Sequence, residues 1–168
     1  MIILAHLPAG LERLRRRRVG DSLAGLPAHL TMLYPFVEPG RLRADVRHRL
    51  AAVAARTLPF DYRLTGPATW PDAIYAAVDP VAPFVALQGG LAEAFPAFPI
   101  YGADPGFGFV PHVTIAEGPS TGNLALLDDP AWRYLPRVRR VASIEVIARL
   151  PDAPWRTIWR LTLGRMRA

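Results

Sequence analysis

No cysteine and no lysine occurs anywhere in the 168 residues of this chain. The first absence removes disulfides, thiolate nucleophiles and cysteine-ligated zinc together, and leaves the redox compartment undetermined. The second removes a lysyl-nucleotide intermediate, a pyridoxal Schiff base and the lysine of a phosphate-binding P-loop, so several large enzyme classes drop out. Long apolar runs are missing too. The apolar start, Met1 to Leu7, is too short for a signal-peptide core or a membrane span, and the arginine cluster follows it instead of preceding it. A cytoplasmic location with no membrane partner is therefore expected.

What is present is an ordinary globular composition with an excess of one charge sign. The formal charge is +6, carried on the basic side wholly by arginine. That bias fits a GC-rich genome, and it gives a surface that attracts anions, with RNA and nucleotides first among them. The length suits one core, and no low-complexity segment or linker divides the chain. A single domain over residues 1–168 is expected, monomeric and without an obligate protein partner.

Hydrophobic spacing gives an alternation of strands and helices. Ile2 to Leu7 reads as a buried strand ended by Pro8 and Gly10, and Leu11 to Val19 as an arginine-rich helix. The run Arg15 to Arg18 reads as a solvated helix face, since four adjacent charges spread around a helix and form no single stripe. Ala28 to Phe36 reads as a strand closed by proline, and Tyr34 and Phe36 are assigned to the core by alternation. Leu42 to Arg56 has the period of an amphipathic helix. Strands follow at Phe60 to Leu64 and Ile74 to Val78, then a helix from Pro83 to Phe95. Pro96 to Pro111 reads as an ordered loop, His112 to Ala116 as a strand and Leu124 to Trp132 as a short helix. Ala142 to Leu150 and Trp155 to Leu163 read as closing strands. Short, antiparallel-compatible strands favour an α+β architecture over a parallel doubly wound sheet.

Two matched motifs carry the chemistry. His29-Leu30-Thr31 and His112-Val113-Thr114 repeat one pattern, histidine, aliphatic, threonine, about half the chain length apart. In a strand, residues i and i+2 project from the same face. Each histidine thus points with its threonine, while Leu30 and Val113 pack behind them. Two such halves facing each other would place two imidazoles and two hydroxyls around one anion. One neutral histidine can accept a proton from the attacking nucleophile while the other, protonated, supplies one to the leaving oxygen, each step contributing about 10² to 10⁴ in rate. A lone histidine at a strand start is more often a hydrogen-bonded structural residue. Two histidines in matching strands, both preceded within two residues by proline, agree too closely for that reading.

With these motifs the chain resembles the two-histidine phosphoesterase superfamily, which includes RNA 2′,3′-cyclic phosphodiesterases, also named 2′-5′ RNA ligases. The resemblance rests on the opening strand Ile2 to Pro8, on His29-Leu30-Thr31-Met32-Leu33-Tyr34-Pro35-Phe36 and on Pro111-His112-Val113-Thr114-Ile115-Ala116, and runs along nearly the whole chain. It implies a bilobal, pseudo-twofold α+β fold, with antiparallel sheets lining a central cleft and helices packed outside. It also implies no metal and no cofactor, and RNA ends or small cyclic nucleotides as substrates. The reaction implied is hydrolysis to a 2′-phosphate, with a reverse 2′-5′ ligation open to the same site. His29 and His112 would be general acid and base, and Thr31 and Thr114 would hold the phosphate oxygens. Many relatives carry a basic residue just after the second motif, where this chain has Glu117. Either strand alternation points Glu117 away, or another arginine supplies positive charge, with Arg156 and Arg160 on the last strand as candidates.

Weaker signals surround the motifs. Tyr101, Phe107 and Phe109 lie in the loop before the second motif, where a ring could stack on a base or simply pack. His6, at the end of the first strand, is placed near the cleft by the resemblance. Gly102, Gly106 and Gly108 fit neither phosphate-loop spacing and read as turn residues. Two other functions compete. A zinc hydrolase would need ligands from scattered carboxylates, since neither motif has a second histidine one or four residues away. A non-catalytic module binding RNA ends or nucleotides on the same fold fits the charge and the loop aromatics, but a decayed enzyme should have lost a motif residue, and all four stand.

Overall fold

A computed structural model of the chain describes residues 1–102, 108–119 and 124–164. In chain order its elements are β1 (Ile2–Leu4), α1 (Ala9–Arg18), α2 (Gly20–Leu23), β2 (His29–Thr31), α3 (Ala44–Arg56), β3 (Phe60–Trp70), β4 (Ala73–Asp79), α4 (Ala82–Ala94), β5 (His112–Glu117), β6 (Arg137–Val141), β7 (Ser143–Ala148) and β8 (Arg156–Thr162). Short 3₁₀ turns lie at Pro39–Arg41, Ile100–Gly102, Leu124–Asp128 and Pro130–Tyr134.

Each of the three longer helices buries one stripe at helical spacing: Leu11 and Leu14 in α1, Val46, Leu50 and Val53 in α3, and Phe84, Leu87 and Leu91 in α4. The strands form two antiparallel four-stranded sheets, in the orders β2-β1-β7-β8 and β5-β4-β3-β6. The fold is therefore α+β with a repeated design. In one half, β1 leads through α1 and α2 to β2, which pairs antiparallel with β1 at the sheet edge. In the other, β4 leads through α4 to β5, which pairs antiparallel with β4 at the sheet edge. The two His-x-Thr strands thus occupy equivalent edge positions, and β2 and β5 contact one another between the sheets.

The motif strands alternate as expected: Leu30 and Val113 are fully buried while their flanking histidines and threonines are half-buried. Burying each such side chain contributes about 1.5 to 3 kcal/mol, which fixes the register and hence the face on which His and Thr emerge.

Several expectations are corrected. The first motif strand ends at Thr31, so alternation does not extend to Tyr34, which is exposed and not a core residue. The expected helix over Leu124 to Trp132 is a pair of 3₁₀ turns. Strand β6 adds an element that hydrophobic spacing does not indicate, because Arg137-Val138-Arg139-Arg140-Val141 offers little apolar pattern; it pairs with Phe60 to Leu64 as the outer strand of its sheet. Arg15 is not part of a solvated face. It shares the inward face of α1 with Leu11 and Leu14 and is only 1% exposed.

Candidate active site

All four motif side chains border one cavity of about 600 Å³ between the two sheets. The two imidazoles are held in the same way. The His29 Nδ1 lies 2.8 Å from the carbonyl oxygen of Pro27, and the His112 Nδ1 lies 2.8 Å from that of Val110. A carbonyl oxygen can only accept, so each Nδ1 carries the hydrogen and each Nε2 is the nitrogen left for chemistry: a lone pair when the ring is neutral, an N–H donor when it is charged.

Burial pushes His29 down to about 4; the Pro27 hydrogen bond and Asp21 oppose this, while Arg15 and the amino group of Met1 add to it. Burial also lowers His112, against the Val110 hydrogen bond. Both shifts favour the neutral imidazole at neutral pH, and an anion between the two rings favours protonation of one. Around His112, Trp70 packs edge-on with ring centroids 4.4 Å apart, and Tyr75 lies 5.4 Å away. These rings exclude water from one side of the imidazole and fix its plane.

On the first-motif side Tyr101 closes over Thr31. Its side chain shares a hydrogen bond with Thr31, and its backbone N–H donates to the Tyr34 carbonyl. The backbone of Tyr101 has φ 55°, a left-handed conformation costly for a non-glycine residue, which these two bonds hold in place.

Glu117 does not point away from the cleft. The β4–β5 register shifts between Ile74 and Tyr75, so Ile115 and Ala116 are both buried and alternation restarts one residue late. Glu117 is thereby returned to the cavity wall, where it accepts a hydrogen bond of 2.9 Å from the Gly20 amide of α2. Among the described residues the arginines bordering the cavity are Arg15 and Arg149, neither of which the motif pattern indicated. Arg160 instead donates from Nε to the buried carboxylate of Glu145 at 2.6 Å. Arg156 pairs opposite Ala148 on the exposed β8 and does not border the cavity. His6 also lies away from it, exposed, its carbonyl accepting from Arg139.

Tyr101 and Phe109 do come together. With Trp70, Ile100 and Val110 they line a second cavity of about 480 Å³ that shares His112 with the first. Phe107 and Gly106 lie outside the described residues. Among the described residues no cluster of three or more His, Asp or Glu is arranged to hold a metal ion, and no helix is long and apolar enough to cross a membrane.

A search of curated protein sequences finds no match to the chain. Solved structures share its fold at low identity. The protein TT0787 of Thermus thermophilus superposes with a TM-score of 0.59 at 19% identity, covering 99% of this chain and 97% of that one. A phosphoesterase gives 0.56 at 17%, covering 98% and 96%. LigT of E. coli complexed with 3′-AMP gives 0.55 at 16%, also covering 98% and 96%. The family profile of the 2′-5′ RNA ligase superfamily matches residues 4–153. That span carries both motif strands and all four strands of the β5-β4-β3-β6 sheet, and the chain is a member of the 2′-5′ RNA ligase superfamily.

Proposed function

We propose that this chain is a metal-independent phosphoesterase acting on 2′,3′-cyclic phosphates or phosphodiesters of RNA or nucleotides. The observation that carries the reading is the matched pair of Nδ1–H···O=C bonds, which leaves two Nε2 atoms and two threonine hydroxyls for one shared cavity. In this reading one neutral imidazole takes a proton from water as the oxygen attacks phosphorus. The other, protonated, gives its proton to the departing ribose oxygen, so the pair ends with its protonation states exchanged. Thr31 and Thr114 donate hydrogen bonds to the non-bridging oxygens, and a cyclic phosphate opens to the 2′-phosphate.

The enclosing family supports phosphoester chemistry, and the relative LigT, crystallised with 3′-AMP and with NADP+, supports a nucleotide in the cleft. Tyr101 and Phe109 border the cavity beside His112, which supports contact with a base. His6 and Arg156 are not among the described residues that border either cavity. Ligation would be the same ring opening with an RNA 5′-hydroxyl in place of water: the P–O5′ bond forms, the P–O3′ bond breaks, and the same two nitrogens take and give the proton.

The test is incubation with a nucleoside 2′,3′-cyclic phosphate in EDTA, followed by phosphorus NMR. Accumulation of the 2′-monoester is expected. Turnover lost in EDTA and restored by zinc or manganese would overturn the metal-free reading. Tight binding with no turnover in any buffer would leave a nucleotide-binding module.

A further inference from the structure

Arg15 is a buried cation at the wall of the cleft. Its Nη1 donates to the Leu26 carbonyl at 2.9 Å and to the Ser22 hydroxyl at 3.1 Å, while its buried Nε has no partner among the described residues. Desolvating a guanidinium is costly, and two hydrogen bonds to neutral groups do not offset it fully. The position therefore has a reason beyond packing. Leu26 is followed by Pro27, whose carbonyl orients His29. The guanidinium thus grips the backbone one peptide away from the bond that fixes the imidazole, and it borders the same cavity.

We propose that Arg15 is a positioning residue for His29, holding the Leu26–Pro27 segment that orients the ring and setting a fixed positive charge behind it. The inference rests on the two-histidine reading and deepens it by separating the two imidazoles. His29 has the arginine near it and His112 has rings of Trp70 and Tyr75 instead. A nearby cation opposes protonation of His29, which favours its neutral, proton-accepting form. The charged groups around Arg15 are Glu12 and Arg16 on α1, Asp21 on α2 and Glu117 on β5. Those around His29 include Arg15, Asp21 and the Met1 amino group, and Glu38, Asp72, His112 and Arg149 also border the cavity.

The test is NMR titration of both histidines in the full chain and in Arg15→Met and Arg15→Lys, with kcat/KM followed over the same pH range. In Arg15→Met, His29 is expected to titrate at higher pH while His112 moves less, and the acid limb of kcat/KM should shift upward with it. Loss of ring orientation should also lower kcat by about tenfold to a hundredfold. Arg15→Lys keeps the charge and should hold His29 near its original titration point. An unchanged His29 titration in folded Arg15→Met overturns the proposal. Should Arg15→Met fail to fold, a Lys variant whose His29 rises as if uncharged does the same. Because the titration is read without substrate, an inactive protein would defeat the proposed reaction and leave this inference standing or falling separately.

Discussion

His29 and His112 sit in different sheets, yet each ring is pinned through Nδ1 by the carbonyl of the residue two positions before it, at the same 2.8 Å. The repetition is local in origin. Both are edge strands with a proline just before the histidine, Pro27 and Pro111, and in each the backbone entering the strand brings the i−2 carbonyl beside the ring. Two separate sheets thus offer the same nitrogen to one cavity.

If the threonines bind phosphate through their hydroxyls, Thr31→Val and Thr114→Val should each lower kcat/KM by roughly tenfold to a hundredfold. That corresponds to about 1.5 to 3 kcal/mol for a hydrogen bond to a charged group. Valine keeps the β-branched shape, so the melting temperature should change little in Thr114→Val, while Thr31→Val also removes the Tyr101 hydrogen bond and should melt somewhat lower. Steady-state kinetics with thermal melts on the same samples checks both halves of the expectation.

The pH dependence follows from two histidines depressed by burial. With one imidazole neutral and the other charged in the productive state, kcat/KM should be bell-shaped and centred below the ordinary histidine value of about 6.5. The limbs belong to the pair and do not by themselves assign roles. Stability has its own sign. His29 falls to about 4 in the folded chain, so its contribution is full above about 6.5 and is lost as pH falls through about 4. Urea melts at neutral and acid pH should show His29→Ala losing less stability on acidification than the unsubstituted chain.

Arg160 separates a structural charge from a functional one. It and the Thr157 hydroxyl, at 2.7 Å, donate hydrogen bonds to the 1% exposed Glu145. Arg160→Met should lower stability by about 1 to 3 kcal/mol by leaving a buried carboxylate short of a donor. KM for a phosphate substrate should be unchanged. A raised KM with an unchanged melt would instead place Arg160 at the phosphate.

The motifs were legible because the strand period of two ties His to Thr and tucks Leu30 and Val113 behind them, so residue order alone fixed which side chains emerge together. The carbonyls that set the imidazole tautomers were not legible, since the path of the backbone entering each strand rather than residue type brings them there. Tyr34 and Glu117 depart from the sequence pattern for one reason: alternation stops short of them, at the end of β2 at Thr31 and at the register shift in β5. Arg15 was hidden inside a run of four arginines. Its spacing from Leu11 and Leu14 was the available signal, because positions i, i+3 and i+4 share one helix face. Strand β6 had no such signal, its arginines lying on a sheet edge where apolar alternation is not required.

The central claim is that His29 and His112 act as one unit, and the most direct measurement is kcat/KM of His29→Ala, His112→Ala and the double variant on a nucleoside 2′,3′-cyclic phosphate. Each single substitution should remove about 10² to 10⁴ of the rate with a cooperative melt retained, and the double should be little worse than either single. Two losses that multiply in the double variant, or a single variant that keeps most of its activity, would contradict the account.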